Sequence, residues 1–73
     1  MMPDKIELLD VVALIQDLPE QGLYRGQVGT VVEVYTSDVF EVEFVDIKGR
    51  TYAMTSVHAA QLMQLHYAPP EKN

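Results

Sequence analysis

The stretch GQVGTVVEVYTSDVFEVEFV, residues 26–45, decides the fold of this chain. Its second half alternates strictly. Phe40, Val42 and Phe44 occupy one parity and Glu41 and Glu43 the other, the signature of a half-buried strand. Its first half, residues 28–35, carries Val28, Val31, Val32 and Val34 on both parities. Either a bulge or burial on both faces accounts for that density. Thr36, Ser37 and Asp38 form a polar turn between the two strands. A three-residue turn pairs Tyr35 with Val39 and therefore Glu33 with Glu41. Gly26 and Gly29 bracket the entry to the hairpin, where glycine permits positive φ or a close backbone approach.

Outward from the hairpin, residues 46–49 read as a second turn, closed by Gly49. Residues 50–55 read as a fourth strand, 56–60 as a short turn, and 61–65 as a final strand with Leu62 and Leu65 inward. Toward the N-terminus, residues 17–25 form a loop punctuated by Pro19 and Gly22, with Leu23 and Tyr24 folded over the end of the core. Residues 8–18 carry both helical and strand spacing. The β-branched Val11–Val12 pair favours a strand over residues 11–16, stopped by Pro19, with a short helix as the alternative. Residues 1–7 and 67–73 are tails around a domain at 8–66. Met54 and Met63 are expected to fill gaps in the core. Five short strands separated by turns predict an all-β domain, a small five-stranded SH3-like barrel.

Seventy-three residues make one domain, and so short a chain stabilises itself only marginally. It has no cysteine for a disulfide or a thiolate zinc site, so a core drawn from its 48% hydrophobic residues must suffice, and a homo-oligomer would help. The absence of cysteine fits a reducing cytoplasm. No apolar run approaches the roughly 20 residues of a membrane span, and the N-terminus lacks the apolar core of a signal peptide, so a cytoplasmic protein is expected. Five basic and eleven acidic side chains give a net charge of −6. Such a chain repels phosphate, which disfavours nucleic acid and anionic membranes and favours a basic protein partner.

Glu33, Glu41 and Glu43 gather on one side of the hairpin, either as a docking strip for a basic surface or as a solvated face. They do not make a calcium site, which needs six to eight oxygens from a shaped loop. Leu23 and Tyr24 are the second candidate contact, because loops carry binding residues more often than strands do. Tyr35 and Tyr52 read as cross-strand packing on the outer face. His58 and His66 match no metal-ligand spacing, and Ser56 beside His58 is adjacency in a turn rather than a triad. Arg25, Lys48 and Arg50 read as partners of nearby carboxylates. No nucleophile–base pair, phosphate loop or metal set is evident, so no enzyme activity, cofactor or metal is expected.

Two resemblances add to this reading. Gly26, Gly29, Thr30, Val31 and Val34, followed by Phe40, Val42, Phe44 and Gly49, resemble the KOW module, an SH3-like barrel of ribosomal and transcription-elongation proteins. That likeness implies contact with RNA or with ribosomal or transcription proteins as the alternative function. A closer likeness runs through LDVVAL (9–14), DLPE (17–20), Gly22–Leu23, Arg25–Gly26, VGTVVEVY (28–35), EVEFVD (41–46), Gly49–Arg50–Thr51 and Gln61–Leu62. It is similar to the short bacterial proteins grouped as domain of unknown function 4926. That resemblance implies a small SH3-like domain. The genomic setting of such proteins implies a non-enzymatic accessory or antitoxin-like partner of a neighbouring gene product.

Overall fold

A computed structural model describes residues 5–66. The tail expected at 67–73 and residues 1–4 lie outside the described residues. Five strands form one antiparallel sheet: β1 (Val11–Leu14), β2 (Val28–Thr36), β3 (Val39–Val45), β4 (Thr51–His58) and β5 (Leu62–Gln64). Their order across the sheet is β4-β3-β2-β1-β5. Two 3₁₀ turns, Pro19–Gln21 and Ala59–Gln61, sit in the connections. The all-β expectation holds. β1 is a strand and not a helix, and it ends two residues sooner than residues 11–16 predict. β4 runs on to His58, so the turn expected from residue 56 begins three residues later, as the Ala59–Gln61 turn.

Val57 of β4 and Leu62 of β5 share one buried cluster although their strands stand at opposite ends of the sheet. The sheet therefore curls around its own apolar face into a barrel-like form without closing. The cluster contains Val12 and Leu14 from β1, Val31 from β2, and Phe40, Val42 and Phe44 from β3, joined by Leu23 from the first loop. Ile6 also packs against it, so the expected N-terminal tail is docked at that residue. The Leu9 N–H donates to the Val31 carbonyl at 2.7 Å, which holds the entry to β1 along β2.

The valine density of β2 resolves into bulges. Val31 pairs with Val42 and Glu33 with Glu41, which leaves Val32 as an extra residue; Val34 pairs with Phe40 and Thr36 with Val39, which leaves Tyr35 as another. Each extra residue resets the two-residue alternation, so Val31 and Val34 both lie opposite inward residues of β3 despite opposite parity. The turn is Ser37–Asp38, two residues and not three, and Tyr35 does not pair with Val39. The bulge at Tyr35 compensates for the shorter turn, so the expected pairing of Glu33 with Glu41 still occurs.

The two hairpin glycines serve different ends. Gly26 adopts φ +93°, a left-handed conformation that side chains rarely tolerate, and its N–H donates to the Leu14 carbonyl. Gly29 lies against β3, where an added Cβ would stand 2.7 Å from Val42 Cγ1 and 2.8 Å from the Glu43 carbonyl oxygen. Backbone cannot yield as a side-chain tip can. We expect Gly29→Ala to cost about 1–3 kcal/mol, read as a lower urea midpoint at unchanged m-value.

Met54 and Met63 do not fill the core. Both are exposed, because Met54 pairs with outward Glu43, and Met63 pairs with Ala13, between the inward Val12 and Leu14. No helix among the described residues is long and apolar enough to cross a membrane.

Candidate functional site

Residues opposite one another on neighbouring antiparallel strands point to the same side of the sheet. With Phe40, Val42 and Phe44 buried inward, Glu41 and Glu43 project from the outer face, and their partners project with them. One row across this face is Glu33–Glu41–Ser56, and the next is Thr30–Glu43–Met54. The structure thus brings together all three glutamates singled out by the sequence.

Their surroundings differ. Glu41 accepts hydrogen bonds at Oε1 from the Tyr35 hydroxyl at 3.1 Å and the Ser56 hydroxyl at 3.3 Å. Glu43 accepts one from the Thr51 hydroxyl. Both are half-buried. Glu33 is exposed, directly opposite Glu41, and among the described residues no hydrogen bond or ion pair reaches its carboxylate. The Tyr35 phenol is held above its ordinary range, first by its hydrogen bond to Glu41, then by partial desolvation and by the charges of Glu41 and Glu33. Tyr35, expected as packing, is instead a hydrogen-bond donor within the acidic strip.

Beside the carboxylates the outer face is apolar. Met63, Ala13 and Val28 form a continuous row across β5, β1 and β2, with Met63 and Val28 exposed. Tyr35 and Met54 add further exposed apolar surface next to the glutamates. Such a face can accept hydrogen bonds and pair with cations while covering aliphatic groups.

The first loop separates its two candidates. Leu18 and Leu23 bridge through reciprocal backbone hydrogen bonds of 2.8 and 3.1 Å, closing the loop over the Pro19–Gln21 turn. That closure drives Leu23 into the core, 1% exposed, while Tyr24 stays 50% exposed. The Tyr24 N–H donates to Gln27 Oε1 and the Arg25 N–H to Asp17 Oδ1, which fixes the loop. Leu23 therefore leaves the set of accessible contacts and Tyr24 remains.

The turn between β3 and β4 is organised by Asp46. Its Oδ1 accepts from the Lys48 and Arg50 backbone N–H groups, and its Oδ2 meets Arg50 Nε at 3.2 Å. These bonds, the Arg50 backbone first, hold its carboxyl below the usual range. Arg50 thus partners a carboxylate as expected. Its exposed ion pair contributes little to stability. The His58 N–H donates to Gln61 Oε1 at the start of the second 3₁₀ turn. Among the described residues no group of three or more His, Asp or Glu side chains is placed to hold a metal ion.

Sequence reasoning missed the hydroxyl set of Tyr35, Thr51 and Ser56 around the glutamates. Its only signal was register: once Glu41 is placed on the outer face, the β4 residue paired with it, Ser56, must project from the same face.

No curated protein and no solved structure matches the chain. A family model described as domain of unknown function (DUF4926) matches residues 8–64, from the turn before β1 to the last residue of β5. The chain belongs to that family.

Proposed function

We propose that this protein is a non-enzymatic interaction module that docks a basic protein surface on its outer sheet face. Glu33, Glu41 and Glu43 supply the charge, and Tyr24 is a secondary contact at the loop. One observation carries the reading: Glu33 stands directly opposite Glu41 on an exposed face. Like charges in that position destabilise a sheet, and nothing in the core requires them. A cationic partner would relieve the repulsion. The exposed Val28, Met54 and Tyr35 on the same face supply apolar area that a purely solvating surface does not need. An accessory or antitoxin-like partnership with the product of a neighbouring gene fits this chemistry. The face is hostile to phosphate, which disfavours the KOW-like alternative of RNA contact.

The test is co-purification at low salt with the adjacent gene's product, comparing wild type with Glu33→Lys. A stoichiometric complex with the wild type, weakened at least about tenfold by the reversal, supports the proposal. A salt-sensitive submicromolar complex with RNA, or no protein complex at all, overturns it.

A further inference from the structure

All sixteen Asp, Glu, Lys and Arg side chains lie at residues 4–50 or 71–72. Residues 51–70 contain none. That charge-free segment supplies both β4 and β5, the two strands at the ends of the sheet. Proteins ordinarily blunt a sheet edge with charge, proline, a bulge or brevity, because its unpaired N–H and C=O groups recruit further strands. β5 is three residues long, and brevity blunts it. β4 is eight residues long, TYAMTSVH, without a lysine, a glutamate or a proline. Its one irregularity, at Tyr52, lies near its start; from Ala53 to His58 the pairing with β3 is regular. Among the described residues no backbone hydrogen bond crosses the outer edge of β4 from another segment.

We infer that the outer edge of β4 pairs antiparallel with β4 of a second copy, about a two-fold axis at Thr55. The occupant follows from charge. Two chains of net charge −6 repel wherever their acidic faces meet. Along β4 they can approach without opposing a single charged pair. A two-fold axis at Thr55 pairs Ala53 with Val57, Met54 with Ser56 and Tyr52 with His58, each residue with its mate on the other copy. These pairs preserve inward and outward parity, so the sheet continues without exposing either core. The join is made by main-chain hydrogen bonds between strands, as in other strand-addition interfaces. It leaves Glu33, Glu41 and Glu43 of both copies uncovered on one side of a ten-stranded sheet. The inference does not depend on the acidic face having a partner.

Sedimentation equilibrium of the full chain tests this. Wild type should weigh twice the 8.2 kDa of one chain. In M54K/S56K the pairing opposes an ammonium group to another at two places, while within each copy the new cations lie beside Glu43 and Glu41. That variant should stay folded by circular dichroism and self-associate at least about tenfold more weakly. M63K puts a single lysine on the short edge strand and should leave the mass doubled. A monomeric wild type overturns the inference, as does a folded M54K/S56K that remains a dimer, or an M63K that alone becomes monomeric. If M54K/S56K fails to fold, hydrogen exchange of the wild type decides. Protection of outer-edge β4 amides that rises with protein concentration supports the pairing, and protection independent of concentration refutes it.

Discussion

Replacing Phe44 by alanine is expected to lower the unfolding free energy by about 3–5 kcal/mol. Phe44 is fully buried in β3, and its two cross-strand neighbours are Gly29 and Ala53. These small residues make room for the ring. An ideal Cβ on Gly29 would already stand 3.0 Å from Phe44 Cδ1. The ring also lies 6.4 Å, centroid to centroid, from that of Tyr52. Once the ring is removed, neither glycine nor alanine can move in to fill the space, so the cavity persists. A core in a domain of this size supplies only about 3–5 kcal/mol in total, so the variant should be largely unfolded at growth temperature. Urea denaturation followed by circular dichroism checks this. A loss below about 1 kcal/mol would mean that the ring is not enclosed. Phe44→Leu keeps most of the apolar volume and should cost far less.

Leu23→Ala is expected to cost about 2–5 kcal/mol, whereas Tyr24→Ala should change stability by no more than about 0.5 kcal/mol. The two residues are adjacent in sequence and opposite in environment. Leu23 is the one member of the buried cluster that comes from a loop. It is held there by the Leu18 bridge, and its truncation leaves a cavity in that cluster. Tyr24 points to solvent and loses only a surface contact. Parallel melts of the two variants separate these roles. If Tyr24→Ala weakens partner binding while its midpoint is unchanged, the residue is a contact; a binding loss in Leu23→Ala would reflect unfolding.

The strand inventory was legible because the physics that sets it is local. Alternation in residues 40–44 names the inward face of β3 without any tertiary information, and glycine and proline mark the turns. Bulges were not legible in the same way. Valines on both parities of β2 signalled an irregularity, but only the observed register identifies Val32 and Tyr35 as the extra residues. The turn length is hidden for the same reason: one residue lost from the turn and one gained in the bulge leave the sequence pattern unchanged. The outward placement of Met54 and Met63 is not legible either, because an unbranched apolar side chain carries no sign of direction and strand parity alone decides it. For the candidate site, the acidic side chains could be grouped from parity. The hydroxyl groups of Tyr35, Thr51 and Ser56 could not, since they reach Glu41 and Glu43 across the sheet.

In the proposed role, Glu33 and Glu41 are opposed on this face because a cationic partner uses them. Urea denaturation of Glu33→Lys, run beside partner binding, tests it most directly. The substitution replaces a like-charge pair with an opposite one on an exposed strand, so stability should rise by a few tenths to about 1 kcal/mol. The same change should weaken the basic partner at least about tenfold. A variant that is more stable and no longer binds shows that the repulsion is kept for recognition. A variant that binds as tightly as wild type, or that loses stability, rules out this role for the opposed glutamates.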